Sequence, residues 1–197
     1  MPPAPARGPV SARGRLAPAA KAALGAAMAR LVGPGMTVFI DAGSTTLACA
    51  ERLEAAATVI THAPTIAAAL VENPAVRLVT LGGQVDREIG AAVGAAVLAA
   101  IETIRPDLLL LGACGVDPDV GITAQSLEDA VVKRSLAARA GRVAVAADIG
   151  KLGTAAPFAV ADLAAIDVML IEAATPPALR QRLAAAGPRL IEVETRP

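Results

Sequence analysis

From Ala17 onward the chain has a regular pattern, in which helical stretches alternate with short, continuous apolar runs. Helices are expected at Ala17 to Leu31, Leu47 to Leu53, Pro64 to Val71, Gly94 to Ile104, Ser126 to Ala140 and Pro177 to Ala186. Strands are expected at Met36 to Ile40, Thr58 to Thr61, Val76 to Leu81, Asp107 to Leu111, Arg142 to Ala147, Val168 to Ile171 and Arg189 to Val193. The boundaries have local causes. Gly33-Pro34-Gly35 stops the first helix, Pro64 suits a first turn, and Ser126 is an N-cap candidate. Apolar strands that alternate with helices imply an α/β fold of three layers, a mostly parallel sheet with helices on both faces. Ligands of such sheets lie beyond the carboxyl ends of the strands. The polar residues that follow each strand are therefore the place to look for function.

Residues 1–16 break the pattern. Their prolines and glycines exclude a helix, no apolar h-region follows, and they read as a flexible linker remnant ahead of one domain at 17–197.

Composition narrows the possibilities. The 197 residues are 55% hydrophobic and 1% aromatic, 49 of them are alanine, and 18 basic residues balance 18 acidic ones. Disorder needs the opposite balance. The longest uncharged stretch, Ala55 to Val71, is interrupted by His62 and Pro64 and does not read as a membrane span. A neutral chain almost without rings is not built to bind nucleic acid unaided. Cys49 and Cys114 form neither metal spacing nor a disulfide framework, so they are expected as reduced thiols of a cytoplasmic protein, and no metal or cofactor is expected.

The segments after the strands carry the candidate chemistry. Asp41 is followed by Gly43, Ser44, Thr45 and Thr46 at the start of a helix, where amides, hydroxyls and helix dipole favour an anion. The bland alternative is helix capping. Gly82 and Gly83 allow either a tight turn or close approach to a ligand. Gly112, Cys114 and Gly121 lie in a glycine-rich loop with Asp117, which is suited to sugar hydroxyls or to an Asx turn with Pro118. Lys133 and Glu128 share the next helix but are five apart, so they are not clean i,i+4 partners. Asp148 and Lys151 follow another strand. Lys151 is one of three lysines beside 15 arginines, which suggests that a compact ammonium is wanted there. His62 has no triad partners in the spacing and reads as a supporting or loop residue.

In order and spacing, Val38 to Thr46, Leu81-Gly82-Gly83, Gly112 to Asp117 with Gly121-Ile122-Thr123, and Asp148 to Gly153 together resemble the effector-sensing domain of the DeoR family of bacterial transcription regulators. The resemblance runs from about Arg15 to Val193. It implies the fold of ribose-5-phosphate isomerase, glucosamine-6-phosphate deaminase and the CoA transferases, with a phosphorylated sugar or related metabolite held on Gly43 to Thr46. It also implies a homo-oligomer, dimer or tetramer, that meets DNA only through a helix-turn-helix domain these residues do not contain. Two positions depart from the family pattern. His62 stands where Asn is usual, and Gly150 where Ser is usual.

An isomerase of this fold needs a carboxylate base. In its pattern Leu111 and Cys114 would be Asp, and Lys133 would be Glu. The expectation is therefore a sensor, with a sugar phosphate between Ser44–Thr46 and Lys151 and with Asp117 on its hydroxyls. A sugar-phosphate isomerase or aminosugar-phosphate deaminase using Asp117 or Glu128 is the alternative, ahead of a CoA transferase-like enzyme and a purely structural oligomerisation module.

Overall fold

A computed structural model of the chain describes residues 2–5 and 8–195. In chain order the elements are α1 (Val10–Gly14), α2 (Pro18–Ala29), β1 (Thr37–Ile40), α3 (Ser44–Ala50), β2 (Ala57–Thr61), α4 (Pro64–Leu70), β3 (Val76–Thr80), β4 (Gln84–Asp86), β5 (Ala91–Val93), α5 (Ala95–Glu102), β6 (Leu108–Leu111), β7 (Gly115–Asp117), β8 (Gly121–Ala124), α6 (Leu127–Ala137), β9 (Val143–Ala147), β10 (Phe158–Ala161), β11 (Val168–Glu172), α7 (Pro177–Ala185) and β12 (Arg189–Val193). Short 3₁₀ turns occupy Ile149–Lys151 and Leu163–Ala165.

Seven strands form one sheet in the order β12-β11-β9-β6-β1-β2-β3, and every pairing in it is parallel. The period of two along each strand sends neighbouring residues to opposite faces. Val38 and Ile40 of β1 join one core with Leu108 and Leu110 of β6, while Phe39, Leu109 and Leu111 join the other. Helices α2, α3 and α4 cover the first face. Helices α5, α6 and α7 cover the second with the small antiparallel sheet β10-β8-β7. The three-layer parallel architecture expected from the sequence is the one observed. Among the described residues no helix is long and apolar enough to cross a membrane.

Two corrections follow. The segment expected to exclude a helix contains α1, whose five residues start directly after Pro9, where a missing amide costs the helix nothing. The glycine-rich loop after β6 is an antiparallel hairpin, β7–β8, in which Val116 pairs with Ile122. Hairpin β4–β5 and strand β10 were also not expected.

The chain leaves β1 toward β2 and β3, then crosses back to β6 on β1's other side and continues outward to β9, β11 and β12. The carboxyl ends of β1 and β6 therefore flank the point where the winding reverses, where doubly wound sheets leave a crevice.

Candidate functional site

A cavity of about 650 Å³ lies at that crevice. The segment after β1 contributes Gly43, Ser44, Thr45 and Thr46, and the segment after β6 contributes Gly112 and Cys114. Lys133 comes from α6, and Asp148 and Lys151 from the turn after β9. All three lysines of the chain, Lys21, Lys133 and Lys151, line this one cavity.

One end of the site is a closed network of charges. The Asp41 carboxylate, fully buried at the end of β1, accepts from the Lys133 ammonium and, at 2.8 Å, from the Gly112 amide. Its other oxygen lies 3.0 Å from His62 Nε2, and His62 Nδ1 lies 2.8 Å from the Ala92 carbonyl. Both of those oxygens are acceptors, so the ring is held between a carboxylate and a backbone carbonyl. Asp129, four residues before Lys133, places Oδ1 3.1 Å from the same ammonium as an ion pair, and this oxygen has no hydrogen-bond partner among the described residues. Burial works against the Asp41 charge, but Lys133 and His62 outweigh it and hold the carboxyl well below its usual range. Burial likewise opposes the Lys133 charge, and Asp129 and Asp41 overcome it, raising its pKa. Asp129 moves the other way. Burial raises its pKa more than Lys133 lowers it, and Asp41 adds to the rise. Gly112 is required here by distance, since a Cβ would sit 2.4 Å from the Ala42 carbonyl oxygen.

The opposite end is unspent. Thr45 Oγ1 and Asp148 Oδ2 are buried with no hydrogen-bond partner among the described residues. The Lys151 ammonium makes no hydrogen bond or ion pair with a described residue, and burial lowers its pKa, helped by Lys21 and Arg13 and opposed by Asp148 and Cys114. Helix α3 has no side-chain cap, and Thr46 Oγ1 donates backward to the Gly43 carbonyl at 3.0 Å. The serine and threonines at this turn therefore do not serve the capping role that was the bland alternative. Cys114 faces the cavity, whereas burial pushes the Cys49 thiol up to about 12 in the core.

Four expected residues fall elsewhere. Gly82 and Gly83 line a separate cavity of about 320 Å³ with Leu81, Val85 and His62. Asp117 Oδ1 accepts from the amides of Asp119 and Val120, at 2.9 and 3.2 Å, so the Asx turn absorbs it. Gly121, at φ +86°, closes the same hairpin against Ala161. Asp41 lies beneath the cavity and acts on it through Lys133 and Gly112. Sequence reasoning missed Arg13, Lys21, Ser126 and Asp129. Of these, only Asp129 had a legible signal, the i,i+4 spacing to Lys133.

Fold and cavity together define a parallel α/β domain with a ligand-sized crevice at its switch point. The chain belongs to the family described as the DeoR C terminal sensor domain, whose model matches residues 17–173. The HTH-type transcriptional repressor GlcR of Bacillus subtilis is 32% identical over 150 residues, 76% of this chain and 58% of that protein. The Glycerol-3-phosphate regulon repressor of Escherichia coli is 26% identical over 151 residues, 76% of this chain and 60% of that protein. This chain thus spans about three fifths of the length of such relatives. Among solved structures, eIF2B beta from Chaetomium thermophilum superposes with a TM-score of 0.50 at 16% identity, over 75% of this chain and 49% of that one, which shows the fold alone. Ribose 5-phosphate isomerase A from Methanocaldococcus jannaschii gives a TM-score of 0.49 at 16% identity, over 67% and 53%.

Proposed function

We propose that this chain is the sugar-phosphate-sensing part of a DeoR-type transcription regulator and that its DNA contact is made by a region outside these residues. The observation that carries the reading is the unspent chemistry at one end of the cavity. An unpaired ammonium suits a phosphate, and a buried carboxylate oxygen without a partner suits a hydroxyl. A buried polar group left unpaired costs stability, so a site that keeps Asp148 and Thr45 in that condition beside the half-buried Lys151 ammonium is suited to a ligand that completes them. In this reading the phosphate lies between Thr45 and Lys151, with the first amides of α3 directed at it, and Asp148 receives a hydroxyl. The name of the glycerol-3-phosphate relative supports the same ligand class. The regulator is proposed to work as a dimer or tetramer, which sedimentation measures.

A thermal-shift panel tests the ligand class. Glycerol 3-phosphate, glucose 6-phosphate and ribose 5-phosphate are compared with glycerol, glucose, inorganic phosphate and an acyl-CoA. A rise in Tm with at least one phosphorylated sugar or polyol, and not with its parent, is expected. A rise with free phosphate or acyl-CoA alone would sink the reading.

A second reading, a sugar-phosphate isomerase, has one observation in its favour: the unpaired Asp148 oxygen sits beside Lys151 as a base beside an electrophile would. Turnover of ribose 5-phosphate that disappears in Asp148→Asn would establish it over the sensor.

A further inference from the structure

The wall of the cavity is completed by a segment outside the family match. Pro3 bridges in parallel to Ala155, and the Ala4 amide donates to the Ala155 carbonyl at 2.9 Å. Helix α1 then lies over the connection between β4 and β5. Val10 is buried there against Gly90, where a Cβ would come within 2.5 Å of Val10 Cγ2. Arg13 Nη2 donates to the carbonyls of Glu88 and Ile89, at 3.3 and 3.0 Å, and Arg13 Nε to that of Gly8 at 3.0 Å. Lys21 Nζ donates to the carbonyls of Arg13 and Leu16, each at 2.5 Å. Pro5, Gly8, Arg13 and Leu16 all face the cavity.

These attachments share a property. Arg13 and Lys21 hold the segment through neutral carbonyls, so their charges are not neutralised by the contacts they make. A guanidinium has five N–H donors, and the two on Arg13 Nη1 make no hydrogen bond with a described residue. Arg13 and Lys21 each oppose the charge on Lys151, and Asp148 is the acid that favours both lysines. The segment enters α2 through Ala17 at φ 48°, the only non-glycine residue with positive φ among those described, which makes that joint strained.

We propose that residues 8–16 are a movable wall of the effector cavity, that Arg13 and Lys21 are effector-binding residues, and that a phosphorylated ligand holds the wall shut. The inference rests on the sugar-phosphate reading of the cavity. Docking brings the Arg13 guanidinium toward the Lys21 and Lys151 ammonium groups in a cavity that Asp86, Glu88 and Asp148 also line, and a bound phosphate adds Arg13 to its contacts. The ligand therefore has higher affinity for the docked state, which is the condition for shifting that equilibrium. The position of the chain before α2 then depends on whether the cavity is filled.

The test uses the full chain and trypsin cleavage after the exposed Arg15, read by mass spectrometry, beside thermal shift with glycerol 3-phosphate, glucose 6-phosphate and ribose 5-phosphate. The probe that raises Tm is expected to slow that cleavage at least about fivefold, and its unphosphorylated parent to leave it unchanged. Arg13→Gln is expected to abolish the protection and to weaken binding about tenfold, with Arg13→Lys restoring part of both. Val10→Ser, which loosens the wall without touching a charge, serves where Arg13→Gln does not fold, and the same loss of protection is expected. A probe that raises Tm yet leaves the cleavage rate and the affinity of these variants unchanged overturns the proposal and leaves the sugar-phosphate reading standing. No rise in Tm with any phosphorylated probe overturns both.

Discussion

The two ends of the cavity hold the same kinds of side chain in opposite conditions. Around Asp41, the lysine, the histidine and a backbone amide all point at one carboxylate. Around Asp148, the lysine and the carboxylate oxygen make no such bond. The difference separates what a buried charge does for the fold from what it can do for a ligand. A saturated network fixes the carboxyl ends of β1 and β6 and the start of the β5 strand in one arrangement. An unsaturated one holds donors and acceptors ready at the fold's expense.

The largest test breaks the saturated end. Asp41→Asn leaves the buried Lys133 ammonium and the His62 ring without the carboxylate they share, and a loss of about 3–5 kcal/mol in urea unfolding is expected. A loss below about 1 kcal/mol would mean that the network is not what holds these strand ends.

Lys151→Gln breaks the other end. It removes an ammonium that burial disfavours, so unfolding stability should stay within about 1 kcal/mol of the parent or rise. Affinity for the phosphorylated probe, measured by calorimetry, should fall about tenfold to a hundredfold. Equal losses of stability and affinity in this variant would erase the distinction.

pH sharpens the contrast with opposite signs. Asp41 is depressed from 3.8, so its contribution to stability is present above that value and is lost as pH falls through and below it. The urea midpoint should drop on that acid limb, and the drop should shrink in Asp41→Asn. Lys151 is lowered from 10.5, so probe affinity should start to fall on the alkaline side before pH 10.5 is reached. Affinity that holds until an ordinary lysine titrates would show that Lys151 does not carry the anion. The smallest effect is expected from Thr45→Val, about 1 kcal/mol of probe affinity with unfolding unchanged or slightly strengthened, because the hydroxyl it deletes is buried without a partner.

The parallel sheet was legible because strands buried on both faces must be apolar throughout, as Leu108–Leu111 shows with four leucines in succession. The hairpins were not. Gly115–Asp117 has three residues and one large apolar side chain, too little for a period to register. In the site, Ser44 to Thr46 and Lys151 were legible because helix starts and strand ends have fixed places in this architecture. Asp117 could not be assigned from the sequence, because an Asx turn and a sugar contact call for the same residue type, and the structure shows the turn. Arg13 carried no local signal, since nothing in a Pro/Arg-rich stretch reports a contact with carbonyls at positions 88 and 89.

At Gly25 the backbones of α2 and α3 come so close that a Cβ there would lie 2.6 Å from the Ala48 carbonyl carbon. Helix α3 starts at the anion turn, and α2 carries Lys21. Their spacing is set by the absence of side-chain volume. The quarter of the chain that is alanine is therefore a ruler as well as a filler. During evolutionary drift, such a contact is expected to be lopsided in what it accepts. One added methyl at position 25 would separate two halves of a binding site, whereas the exposed Ala19 on the same helix can be exchanged for a larger residue at little consequence.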